Sequence, residues 1–228
     1  MTSPGPANCE PSASCLLYLF ADAVVERSTW LGFVLNGQPR VGVPGTRVRV
    51  QLGPLERTLM ARAFWNLERL DLLTLTRPQA TEKHQKQHLL HVYRGQGDHA
   101  VSGLEAELLD CWTNEGDDVA LIIERWAGRG RPLPLDAVVA VARDEAADFG
   151  LWDKDDSVGG NSRARARLRR PPRADRLQLD ILGPAFSAAL AGWETFEKNE
   201  PVVAAQLVNS CLYGLDALRA RGQASYGS

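Results

Sequence analysis

Between Gly53 and Asp118 the apolar positions change period more than once, and each change predicts an element. Leu55, Leu59, Phe64, Leu67 and Leu70 recur at steps of three to five, the spacing of one buried helical face. Gly53-Pro54 marks the start of that helix, since a proline in the first turn removes no intrahelical hydrogen bond. Leu72-Leu73-Thr74-Leu75-Thr76 is short and partly β-branched and stops at Arg77-Pro78, which predicts a strand leaving the helix. Thr81 to His88 is polar, and His88 to Tyr93 reads as the returning strand. After Gly95 and Gly97, Ser102 stands as the cap of a new helix opening with Leu104-Glu-Ala-Glu-Leu108. Leu59, Leu67, Leu70 and Leu108 are expected in the core.

Either side of this stretch the pattern is less regular. Cys15 to Arg27 reads as a first helix, and the glycines and alternating valines of Trp30 to Val50 predict short strands and turns. Val119 to Trp126 and Leu135 to Phe149 predict two more helices, with Gly150 placed to end the second. Leu177 to Leu190 and Pro201 to Leu218 carry helical apolar spacing, as in Val203, Leu207, Cys211 and Leu215, and close the core. The fold class is mainly α (α+β): a helical domain with short hairpins, a winged-helix-like element at 55–93, and C-terminal helices packed on it.

Composition sets the organisation. Residues 1–14, with three Pro and three Ser, read as a mobile leader; 15–152 form the helical α+β domain; 153–176 are an arginine-rich loop or hairpin; 177–222 complete the same domain. With 228 residues and 44% hydrophobic content a real core is expected. Cys9, Cys15, Cys111 and Cys211 have no CxxC spacing, so they read as reduced thiols, with Cys9 and Cys15 reactive in the leader and the other two on apolar helix faces. The apolar run from Cys15 to Val25 contains Asp22 and is too short to span a bilayer, so a cytoplasmic protein is expected, with peripheral membrane attachment open to it.

Charge alters the picture most. Ser157 to Arg176 holds seven arginines against the single acid Asp175, a local charge of +6, which leaves the rest of the chain at −8 for a total of −2. As a strand, Arg163, Arg165, Arg167 and Arg169 would align four guanidinium groups about 6.6 Å apart on one side. Such a row suits phosphates, which the planar guanidinium binds through two oxygens at once. Arg163, Arg165, Arg167, Arg169 and Arg170 are thus the candidate anion-binding residues. The plain alternative is a solvated loop, flanked by Gly159-Gly160 and Pro171-Pro172, that offsets an acidic body.

Other chemistry is thinner. His84, His88 and His91 lie close together, but the segment reads as a hairpin and no carboxylate or cysteine completes a ligand spacing, so no metal site is assigned. Asp153, Asp155 and Asp156 with Lys154 among them read as an exposed turn. No nucleophile elbow, phosphate loop or dinucleotide fingerprint occurs, so neither a catalytic residue nor a cofactor is assigned, and a nonenzymatic role is expected. A winged helix binding DNA would use Leu55 to Leu70 for recognition. Arg57, Arg62 and Arg69 on it are nevertheless offset by Glu56, Glu68 and Asp71.

From Leu59 to Gly150 the order of elements resembles the Golgi phosphoprotein 3 family. The likeness is carried by Leu67-Glu-Arg-Leu-Asp-Leu-Leu-Thr-Leu75, by Gly97-Asp98 followed by Leu104-Glu-Ala-Glu-Leu108, by Val119-Ala-Leu-Ile-Ile-Glu-Arg-Trp126 and by Ala146-Ala-Asp-Phe-Gly150-Leu-Trp152. It implies a mostly helical protein that binds phosphoinositide headgroups at membranes and has bacterial relatives. The family's basic residues would fall near Val139 and Val141, so its headgroup pocket does not transfer, but its membrane-touching hairpin would follow Gly150, where the arginine strap lies. The expected function is a binding protein for anionic groups, phospholipid headgroups first. A DNA-binding regulator is the alternative, and an adaptor with a protein partner or a homo-oligomer is the third reading.

Overall fold

The computed structural model describes residues 11–25, 39–44, 46, 48–76, 90–128, 136–151 and 176–224. Its elements, in order, are α1 (Ala13–Leu19), α2 (Ala21–Val24), β1 (Arg40–Gly42), β2 (Arg49–Gln51), α3 (Leu52–Arg69), β3 (Leu73–Leu75), β4 (His91–Arg94), α4 (Gly103–Cys111), β5 (Asp117–Asp118), α5 (Val119–Ala127), α6 (Ala137–Asp148), α7 (Arg176–Asn199) and α8 (Pro201–Ala224). The fold is mainly helical α+β, with one two-stranded and one three-stranded antiparallel sheet.

The central element is α3. Leu55, Leu59, Phe64 and Leu67 are buried as their spacing predicts, but so are Glu56, Met60, Ala61, Arg62, Ala63, Trp65 and Asn66, so the helix is enclosed round most of its circumference. The less buried positions of α3 are Gly53, Pro54, Arg57 and Thr58 near its start and Glu68 and Arg69 at its end. Leu70, expected in the core, is the half-buried C-cap of α3, because the chain turns there: Asp71 takes φ 55° and Leu72 N donates to Leu67 O at 2.9 Å.

Helices α1, α4, α6 and α8 pack around α3, and α8 also lies along α5. Val203, Leu207, Cys211 and Leu215 form the buried face of α8, as the spacing implied. The end of α6 closes as expected at Gly150 (φ 71°): Gly150 N reaches Ala147 O, and Leu151 N reaches Ala146 O at 2.8 Å.

The strand read from Leu72 to Thr76 is β3, which pairs with β4 through Leu73↔Arg94 and Leu75↔Val92. Leu73, Leu75 and Val92 turn inward while Thr74 and Tyr93 face out, the two-residue alternation of a half-buried sheet. The third strand, β5, has no signature, since aspartates are poor strand formers. Asp118 also caps α5 by accepting from Leu121 N at 2.7 Å, and Asp117 ion-pairs with Arg125. The polar segment 81–88 lies outside the described residues.

Two expectations about the start of the chain are corrected. Residues 11–14 belong to the fold: Ser12 caps α1, accepting from Cys15 N, and every residue of α1 is buried. The first helix is also not continuous over 15–27, since Phe20 leaves helical geometry (φ −114°, ψ 32°) and separates α1 from α2.

Candidate functional site

Arg163, Arg165, Arg167, Arg169 and Arg170 lie outside the described residues, as do His84, His88, Cys9 and the aspartates of 153–156. His91 is exposed on β4, and its Nδ1 is 2.9 Å from the carbonyl of Gly116, an interstrand contact. Cys15, expected to be reactive, is fully buried, and burial, then the nearby Glu145 and Glu105, push its thiol pKa up. Cys111 and Cys211 are buried on helices, as expected.

What the fold assembles instead is a cluster of carboxylates and hydroxyls where α1, α3, α4 and α6 meet. Glu105 of α4 and Glu145 of α6 are 0% and 5% exposed, so each requires hydrogen-bond partners in place of water. The start of α1 supplies them. Ser12 donates to Glu145 twice, from its backbone N at 2.9 Å and from its hydroxyl at 2.6 Å. Ser14 N donates to Glu105 at 3.1 Å, and Ser14 Oγ lies 2.6 Å from Glu105 Oε2. Ser102 donates to Glu145 at 2.7 Å and Asn66 to Glu105 at 3.4 Å, while Ser12 Oγ and Ser14 Oγ lie 3.0 Å apart.

Local backbone geometry makes room for the cluster. Ser102 occupies the N-cap position of α4, but its hydroxyl turns to Glu145 and makes no cap hydrogen bond. Gly103 follows at φ 57°, and a Cβ there would stand 1.8 Å from Glu145 Oε2, so both the backbone and the carboxylate require glycine. The serine hydroxyls are committed to carboxylates inside the core, which suits holding helices together and gives no exposed nucleophile.

Two further buried charges lie on α3. Glu56 of α3 is 4% exposed, and burial pushes its pKa up to about 7 against the pull of Arg219 of α8 at 3.2 Å. Arg62 lies 4.2 Å over the ring of Trp193, and its Nη1 has no hydrogen-bond partner among the described residues. Burial lowers its pKa to about 10.

A second, smaller apolar group lies beside the first cluster. Cys15 and Leu19 of α1 pack with Ala146 and Leu151, and Leu182 of α7 packs on the same group. No family model, curated protein or solved structure matches the chain, so these sites are read from their own chemistry.

Proposed function

We propose that this is a nonenzymatic binding protein that engages anionic groups, phospholipid headgroups first, through Arg163, Arg165, Arg167, Arg169 and Arg170. The observation that carries the reading is the charge pattern: seven arginines against one acid between Ser157 and Arg176, in a chain whose remainder carries −8. A charge of +6 gathered at one place attracts an anionic surface more strongly than the same charge spread out.

The neighbouring helix favours lipid over nucleic acid. Ile181 is 71% exposed near the start of α7, and Pro184, Ala188 and Ala191 continue the exposed apolar positions at helical spacing. The enclosure of α3 weighs against a groove-reading mode, and the resemblance of Leu59 to Gly150 to the Golgi phosphoprotein 3 family points toward membranes. Among the described residues no helix is long and apolar enough to cross one.

The test is flotation of the full chain with anionic liposomes beside a duplex-DNA gel shift, each at two salt concentrations. Replacing Arg163, Arg165, Arg167 and Arg169 by Ser should weaken liposome binding about a thousandfold, since each basic residue near the surface contributes about 1 kcal/mol. Loss of duplex binding in the same variant, with the salt slope flattened by about 0.9 per contact, would support the DNA reading instead. Binding to neither surface at low salt removes both and leaves an acidic protein partner for the strap.

A further inference from the structure

Three oxygen-to-oxygen contacts run in series through the buried cluster: Glu105 Oε2 to Ser14 Oγ at 2.6 Å, Ser14 Oγ to Ser12 Oγ at 3.0 Å, and Ser12 Oγ to Glu145 Oε2 at 2.6 Å. For all three to be hydrogen bonds, each needs a hydrogen between its oxygens, and each serine hydroxyl carries one. The two hydroxyls can therefore fill two contacts. With both carboxylates ionised, the remaining pair of oxygens would face each other lone pair to lone pair in a buried site, a costly arrangement. One further proton, held on a carboxyl group, completes the series: Glu105 donates to Ser14, Ser14 to Ser12, and Ser12 to Glu145.

The other contacts say where that proton resides. Glu145 receives three donors at 2.6 to 2.9 Å, so it is the accepting end of the series. The second oxygen of Glu105 receives longer ones, Ser14 N at 3.1 Å and Asn66 at 3.4 Å, as a carbonyl oxygen of a neutral acid would. Burial, together with the charge of Glu145, holds the Glu105 pKa up at about 7 against the hydrogen bonds from Ser14. Among the described residues the neighbouring groups supply no compensating cation. The nearby group on α1 is the buried Cys15 thiol; α3 presents Asn66, whose oxygen is held by Arg69; α6 presents Glu145; and Arg125 of the adjoining α5 is engaged by Asp117.

We propose that residues 12–15 form a proton-operated latch, in which one proton shared along Glu105, Ser14, Ser12 and Glu145 holds the start of α1 onto α4 and α6, and its departure lets that segment open. The sign follows from linkage. A carboxyl whose pKa rises on folding binds more protons folded than open, so its contribution to stability is full below the ordinary value of 4.5 and is lost as pH climbs through about 7. Cys15 of that segment packs with Leu19, Ala146 and Leu151, so its opening also loosens the end of α6.

Amide hydrogen exchange of Ser14, Cys15 and Leu16 in the full chain, corrected for intrinsic base catalysis, reads the opening directly. The opening constant should rise about tenfold per pH unit between roughly 5 and 7, the slope for release of one proton. In Glu105→Gln the side-chain amide supplies the missing hydrogen permanently, so the slope should vanish. A flat profile in the parent, or an unchanged slope in the variant, overturns the latch. Should the variant fail to fold, the carboxyl-carbon NMR titration of Glu105 in the parent decides: a midpoint near 7 supports the proposal, and one near the ordinary 4.5 overturns it.

Discussion

Glu56 and Glu105 are buried toward opposite ends of α3, and burial pushes both pKa values up to about 7, yet the fold compensates them in different ways. Glu56, near the start of the helix, faces the guanidinium of Arg219, a cation at every relevant pH. Glu105 touches Asn66, ten residues further along and so about 15 Å away by helix rise, and faces hydroxyls and a second carboxylate. A cation stays where the fold puts it, whereas a shared proton departs as pH rises. Above pH 7 the Glu56 end therefore gains an ion pair while the Glu105 end holds two like charges. The same upward shift means a fixed brace in one place and a releasable one in the other.

The substitution expected to do most damage breaks both ends at once. Leu67 is fully buried one residue beyond Asn66, and Leu67→Ala should cost about 2–5 kcal/mol through lost burial and the cavity left behind. Urea denaturation measures this, and an unchanged midpoint would mean that α3 is not the element on which the core is built.

A more selective lesion separates the two ends. Gly103→Ala places a methyl group against the Glu145 carboxylate and forces an unfavourable φ, so a loss of about 3 kcal/mol is expected, with Glu56 untouched. The variant should also lose the pH-dependent protection of residues 14–16 in hydrogen exchange. Full stability in Gly103→Ala would show that the cluster is loosely packed.

The smallest effect sharpens the contrast through pH. Arg219→Ala leaves Glu56 without its cation, but Arg219 is 37% exposed, which limits the loss to about 1–2 kcal/mol at pH 8. At pH 5 Glu56 is protonated, since its folded pKa is about 7, and the loss should shrink. Thermal melts at the two pH values check the difference, and a pH-independent loss would mean that Arg219 acts by packing alone.

Much of the architecture was legible because periodicity records burial directly. The helices at 55–70, 119–126 and 135–149, the strand at 72–76 and the apolar face of α8 were found within a few residues of their observed limits. Gly150 was recognisable because ending a helix with a left-handed residue is a local requirement. The strap was visible through charge alone, which reports composition and leaves its placement open.

The buried cluster was largely hidden, for a physical reason. Ser12 and Ser14 sit in a stretch whose prolines and polar residues resemble a tail, and Glu105 is one of two glutamates on α4. One signal was available: Glu145 follows Val138 and Ala142 at helical steps and so shares the apolar face of α6. Local pattern thus determined where helices and strands form and which apolar side chains turn inward, because those follow from backbone geometry and solvent exclusion within a few residues. Only the tertiary structure decided that Ser12, 133 residues away in sequence, is the partner of Glu145. A hydrogen bond depends on ångström-scale proximity in space, which the linear order of residues does not encode.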